Sequence, residues 1–313
     1  MVFIEKRLIL VVILGLLLII GLNQIIYCEE ADYKNTRIAF NSYLDGDSDI
    51  YIINPDGTGL LNITDDEYNN FLPSWSPDGR KIVYTSRPED DIYIIDINGK
   101  NKRNLTNSSN YASFPDWSPD GEKIIYMSET NTNKQEYNIF VINTDGSNLI
   151  QLTDNSCVNT YPKWSPDGNK IAFISNRNGS FDLFTMDVNG RNVKYLATLT
   201  NIQTLDIIEA LSLSWSPDGS KIAFTAESQG NFDIFTINVD GTGMTNITET
   251  ISNNEALPDW SADSSVIAFI SIDDNNILQL YIMNKDGSGK KQITDYQFNN
   301  SNPEWSPLLE NNF

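Results

Sequence analysis

Histidine is absent from this 313-residue chain, and cysteine occurs only twice. Without histidine there is no Ser-His-Asp or Cys-His nucleophile system and no histidine-based metal site. No G-x-S-x-G elbow occurs either, which removes hydrolase chemistry of the α/β-hydrolase type. Cys28 ends the apolar N-terminal stretch and Cys157 lies alone far downstream, so Cys157 has no partner for an internal disulfide and reads as a partly buried small apolar side chain. Basic residues are scarce. Lys and Arg number 21 against 42 Asp and Glu, a formal charge of −21. Such a surface disfavours nucleic acid and anionic lipid headgroups, and if it selects any partner it selects a basic one.

What the chain does have is a repeated phrase. All six tryptophans open it: Trp75, Trp117, Trp164 and Trp215 begin W-S-P-D-G, Trp260 begins W-S-A-D-S, and Trp305 begins W-S-P-L-L. They recur every 42 to 51 residues, a period of about 40–50 that suits a four-stranded propeller blade. Four short segments recur with them. P-x-W-S-P comes first, as at Pro73–Pro77, Pro115–Pro119, Pro162–Pro166 and Pro303–Pro307. A K-I-x-aromatic run follows, as in Lys81-Ile82-Val83-Tyr84 and Lys221-Ile222-Ala223-Phe224. The third is D-I-Y-like, as in Asp49-Ile50-Tyr51 and Asp91-Ile92-Tyr93, and the fourth ends at Thr64, Thr106, Thr153, Thr248 and Thr294. Runs this short, rich in β-branched and aromatic residues and bounded by Gly, Pro, Asn and Asp, read as strands.

The aspartates of the P-D-G turns and of the Asp-Gly and Asn-Gly pairs, such as Asp56-Gly57 and Asp286-Gly287, read as turn formers rather than ligands, because they recur from blade to blade. The first K-I-x-aromatic copy, Arg37-Ile38-Ala39-Phe40, has no W-S-P before it, and the last W-S-P has no strand after it. The spacing therefore predicts an all-β, six-bladed propeller in which the C-terminal Pro303–Pro307 strand completes the N-terminal blade. Closure removes the open sheet edge, and a monomer is expected.

The phrase P-x-W-S-P-D-G-x-K-I-A-F…D-I-Y…D-G…L-T resembles the repeat of TolB-type, WD-repeat-like propellers, also found in relatives of prolyl oligopeptidase. It covers residues 36–307 and concerns the propeller only, without the α/β domain that precedes it in TolB. The repeat specifies fold far more closely than function. Oligogalacturonate lyase-type propellers share it but rely on metal-ligating histidines, which this chain lacks. Two departures stand out: Ala197 replaces the fourth-strand threonine and is followed by a long insert, and the W-S-x-D at Trp260 carries Ala262 and Ser264 for Pro and Gly.

Residues 1–30 are expected to be a signal peptide or membrane anchor and 31–313 the propeller. Lys6-Arg7 precede an uncharged apolar run over residues 8–22, and Glu29, Glu30 and Asp32 follow it. Extended through Tyr27 the run is long enough to span a bilayer, and no small-x-small cleavage site follows. An uncleaved or slowly cleaved anchor is expected ahead of cleavage and release, with lipidation of Cys28 third because Tyr27 is not small. The membrane is contacted through this segment only. Six N-x-S/T sequons occur, at Asn62, Asn104, Asn107, Asn178, Asn246 and Asn299.

A site should lie on the face that carries the unrepeated loops. Acidic clusters gather there: Asp45, Asp47 and Asp49; Asp65, Asp66 and Glu67; Glu89, Asp90 and Asp91; Asp273 and Asp274. Aromatics accompany them: Tyr68, Phe71, Tyr111, Tyr161 and Phe298. Asp65, Asp66, Glu67, Asp90 and Asp91 with these aromatics suit a cationic peptide or protein segment. Asp45-Gly46-Asp47-Ser48-Asp49 resembles the start of a Ca²⁺ loop, yet the glycine and the twelfth position do not fit an EF-hand, and a hydrated hairpin tip is the better reading. The expected function is a non-catalytic, exported protein- or peptide-binding module that needs no cofactor. The alternative is a carbohydrate-active envelope enzyme using carboxylates or calcium.

Overall fold

The computed structural model describes residues 35–309 apart from 109, 132–135, 155, 201–209 and 251–252. The expected N-terminal signal or anchor, Cys28 and the insert before Leu213 lie wholly or largely outside the described residues. Among the described residues no helix is long and apolar enough to cross a membrane.

Six four-stranded antiparallel sheets form the described part of the chain. Blade one comprises β1 (Ile38–Ser42), β2 (Asp49–Ile53) and β3 (Leu61–Asn62). Blade two comprises β4 (Asn69–Trp75), β5 (Lys81–Arg87), β6 (Asp91–Asp96) and β7 (Arg103–Asn104). Blade three follows with β8 (Ala112–Trp117), β9 (Lys123–Asn131), β10 (Glu136–Asn143) and β11 (Ile150–Gln151). Blade four has β12 (Asn159–Trp164), β13 (Lys170–Ser175), β14 (Phe181–Asp187) and β15 (Lys194–Thr200). Blade five has β16 (Leu213–Trp215), β17 (Lys221–Ser228), β18 (Asn231–Asn238) and β19 (Thr245–Asn246). Blade six has β20 (Glu255–Trp260), β21 (Val266–Ile272), β22 (Leu278–Asn284) and β23 (Lys291–Gln292). The last strand, β24 (Asn300–Trp305), pairs with β1. The ring closes as the sequence predicts, and the inner strands β24, β4, β8, β12, β16 and β20 contact one another in turn around the axis.

Each recurrent residue has a visible task. The aromatics of the second and third segments are direct cross-strand partners, as Tyr84↔Tyr93 and Phe224↔Phe235, with ring centroids 5.9 Å apart in both. Such a pair contributes about 0.5–1.5 kcal/mol beyond its buried area. In the P-D-G turn the Ser76 hydroxyl donates to Asp78 at 2.6 Å and accepts from the Lys81 amide at 2.9 Å, while Gly79 takes φ 68°. Ser118–Asp120, Ser165–Asp167, Ser216–Asp218 and Ser261–Asp263 repeat that bond at 2.6 Å, which identifies these aspartates as architecture. Where blade six lacks the glycine, Ser264 adopts φ 59° in its place.

The fourth-segment threonine also explains itself. Thr64 donates to Asp49 and accepts from the Ile50 amide, and Thr106 does the same with Asp91 and Ile92. The bond therefore ties a two-residue outer strand to its neighbour where the ladder is too short to hold it. Ala197 cannot make that tie, and blade four instead carries the seven-residue strand β15 with a longer ladder to β14.

The inner strands carry the feature that shapes the axis. At the x-Pro step of five blades the register slips, and Leu72, Phe114, Tyr161, Leu257 and Asn302 take φ between 48° and 56°. Proline has no N–H to give the ladder, so the strand bulges there. The bulge brings these five side chains to line the central channel. Leu213 stands where the other blades have this proline, and β16 pairs with β17 in unbroken register.

Candidate functional site

The channel opens on the face of the variable loops into a cup of about 450 Å³. Its floor is set by the bulged residues Leu72, Phe114, Tyr161 and Asn302, and Phe71, Tyr43, Tyr111 and Tyr137 supply its walls. Phe114 and Tyr161 are in ring contact, centroids 4.1 Å apart, and Tyr111 meets Tyr137 edge-on at 6.1 Å. Neutral polar groups fill the remaining wall, among them Asn41, which accepts a hydrogen bond from the Asn302 amide at 2.8 Å. Arg87, at the end of β5, lies with its guanidinium 5.1 Å from the Phe71 ring centre. Aromatic faces with neutral hydrogen-bonding groups can hold an apolar side chain and orient the backbone beside it.

Below the cup the channel narrows to a neck of about 50 Å³, ending on Lys163, Asp259 and Glu304. These are the residues between proline and tryptophan, the position of P-x-W that changes most from blade to blade. Lys163, in blade four, reaches across the axis to Glu304 in the opposite blade at 3.0 and 3.1 Å, and also pairs with Asp116 at 3.1 Å. The remaining acceptors serve the neighbouring blade: Asp116 takes the Trp164 amide at 2.8 Å, and Asp259 takes the Trp305 amide at 2.6 Å and the Ser214 hydroxyl at 2.7 Å. Two carboxylates thus share one ammonium, and Asp259 stands near enough to feel its charge. Burial and mutual repulsion push Glu304 up to about 8 and Asp259 up to about 6. Burial opposes the charge on Lys163, but Asp116, Glu304 and Asp259 outweigh it and raise its pKa.

The family described as TolB beta propeller domain matches residues 33–136 and 91–309. The chain belongs to the TolB beta propeller family. A Tol-Pal system protein TolB from Anaeromyxobacter dehalogenans is 29% identical over 127 residues, 41% of this chain and 27% of that protein. The uncharacterized peptidase YuxL of Bacillus subtilis is 31% identical over 121 residues, 37% of this chain and 18% of that protein. The matched stretch is therefore less than a third of either relative. Crystalline TolB from Acinetobacter baumannii superposes with a TM-score of 0.76 at 22% identity, covering 88% of this chain and 68% of that one.

On this TolB-type propeller the sequence-predicted site residues separate into three groups. Phe71, Tyr111 and Tyr161 line the cup. Asp65, Asp66, Glu67, Tyr68, Asp90 and Phe298 lie outside it, on the surrounding loops. Asp66 is paired with Lys102 at 2.6 Å, and Asp90 accepts from the Arg87 Nε at 3.1 Å. Asp91 is buried, one oxygen accepting from Thr106 and the other from Asn104, so its carboxylate is committed to the blade. Asn62, Asn104 and Asn246 of the sequons are engaged likewise with Asp49, Asp91 and Asp233. Carboxylate oxygens of Asp45, Asp49 and Asp65 lie within 4.8 Å of one another, and among the described residues only this group converges as a metal would need. Asp47, the middle acid of the sequence cluster, is not part of it. Asp49 already accepts from Thr64 and Asn62, the same tie that Asp91 and Asp233 make in blades two and five.

Sequence reasoning missed Arg87, Phe114, Tyr43, Tyr137 and the whole charged neck. Phe114 stood in the same x-Pro place as Tyr161, and the changing residue of P-x-W was a signal that an alignment of the blades could have shown.

Proposed function

We propose that this TolB-type propeller is an exported, membrane-tethered, non-catalytic module of the cell envelope that binds a protein or peptide at its variable face. The observation that carries the reading is the cup: an aromatic, hydrogen-bonding cavity built from residues that differ between blades, while the opposite face repeats one turn chemistry. The relative named for the Tol-Pal system supports a protein partner. The apolar run after Lys6-Arg7 supports export and tethering. The exposed acids on the loops of the same face, Asp65, Glu67 and Glu89, favour a cationic stretch on the partner's approach. The non-catalytic reading is supported by the neck, where the gathered carboxylates are taken up by Lys163, by backbone amides and by Ser214.

Crosslinking in intact cells, followed by identification of the captured protein, tests this directly. Neutralising Asp65, Glu67 and Glu89 together should reduce capture several-fold at low ionic strength and flatten its salt dependence, with the melting temperature unchanged. Undiminished capture by that variant, or loss on altering a P-D-G turn instead, would place the interaction elsewhere.

A further inference from the structure

The cup differs in charge from the loops around it. Exposed acids stand on the loops of the same face, yet no carboxylate lines the cup, and among the described residues that do line it Arg87 alone is charged. Arg87 is held from two sides. Its guanidinium lies over Phe71, its Nε donates to Asp90 at 3.1 Å, and Tyr111 lines the same wall of the cup. A guanidinium has five N–H donors in one plane, so this anchorage fixes the plane and leaves donors for a ligand. A planar fork of that kind matches a carboxylate, whose two oxygens it can meet together.

The surroundings strengthen the preference. Phe71, Tyr111, Phe114 and Tyr161 give the cup an apolar wall beside Arg87, where a charged hydrogen bond is stronger than in open water, and Asp90 occupies only the Nε side of the guanidinium. A cationic side chain entering the cup would meet Arg87, whose charge Asp90 offsets from one side only. Outside, the exposed Asp65, Glu67 and Glu89 repel a polyacidic chain and tolerate a basic one.

We propose that the cup recognises a peptide segment that presents an apolar side chain beside a single carboxylate, with Arg87 selecting the carboxylate. The segment's flanks are neutral or basic, as those exposed acids require. The inference rests on the peptide-binding reading above and assigns its specificity.

The test is selection of a random octapeptide library on the immobilised full-length chain, in parallel with its Arg87→Gln and Arg87→Lys variants. Melting temperatures confirm that both variants fold; the half-exposed Arg87 side chain makes this the expected result. The wild type should enrich peptides with Asp or Glu next to an aromatic or aliphatic residue. A synthetic copy of an enriched peptide should bind at least ten-fold more weakly to Arg87→Gln, and equally so when its own acid is changed to the amide. Arg87→Lys should recover only part of the loss, because the ammonium cannot form the fork. Enrichment of the same acidic peptides by Arg87→Gln, or of Lys- and Arg-rich peptides by the wild type, overturns the role of Arg87 while leaving a peptide-binding propeller. Recovery of no peptide at all, including the case in which a labelled oligogalacturonate binds instead, overturns the peptide-binding reading and this inference with it.

Discussion

At the scale of single residues, the variable position of P-x-W sets the electrostatics of the axis. Glu304 and Asp259 bind protons more tightly in the folded chain than in an unfolded one, because burial and neighbouring carboxylates hold their pKa values up to about 8 and about 6. A raised carboxylate stabilises the fold fully below its ordinary range, and that contribution is lost as pH rises through the folded value. Stability against urea should therefore fall between pH 5 and pH 8.5, by at most a few kcal/mol, and Glu304→Gln should make the two midpoints more nearly equal. Lys163→Met should behave oppositely. It removes the ammonium that holds the three carboxyl pKa values down, so the fall with pH should steepen, and once all three are charged the cost should be about 3–5 kcal/mol. Glycine positions give a sharper contrast. A Cβ at Gly287 would lie 1.9 Å from the Ile247 carbonyl oxygen, whereas one at Gly219 would meet nothing within 4 Å. Both have positive φ, so Gly219→Ala should cost about 1–2 kcal/mol and Gly287→Ala visibly more, as read from thermal midpoints.

At the scale of the element, β24 holds the ring together. Its ladder to β1 is reinforced by the Trp75 indole donating to the Glu304 carbonyl at 3.1 Å, the Trp305 amide donating to Asp259, and the Lys163–Glu304 pair across the axis. Deleting residues 302–313 removes all of these at once. The truncated chain should unfold at a markedly lower midpoint, with a broadened transition in circular dichroism; an unchanged midpoint would contradict closure by this strand. Blade four shows the converse economy. Its outer strand β15 is long where the threonine tie is missing, so changing Ala197 to Thr should add little, while Thr106→Ala in blade two should cost about 1–3 kcal/mol by leaving Asp91 and the Ile92 amide without their partner.

At the scale of the whole molecule, charge changes along the axis: exposed acids on the loops of the variable face, an aromatic cup with one guanidinium, then a buried cluster of three acids and a lysine. The sequence expectation is an acidic mouth, and no carboxylate lines the cup. Asp91 belongs to the blade's interior, and Tyr68 and Phe298 stand outside the cup. On the proposed reading a partner meets the exposed acids before the cup, so salt should weaken its approach more than its seating.

The sequence by itself determined the blade count, the strand order, closure by the last strand and the architectural role of the turn aspartates. Each is written in local, repeated patterns: alternation along a strand, proline and glycine at fixed turn positions, and an aromatic pair in register. Tertiary structure alone decided which side chains meet at the axis. Proline-driven bulges bring Leu72, Phe114 and Tyr161 into the channel, reversing what strand alternation would give. Lys163 and Glu304 are 141 residues apart and meet only because the closed ring sets blades one and four opposite each other. Arg87 reads in the sequence as an ordinary strand-end base, and the ring makes it the one charge lining the described cup.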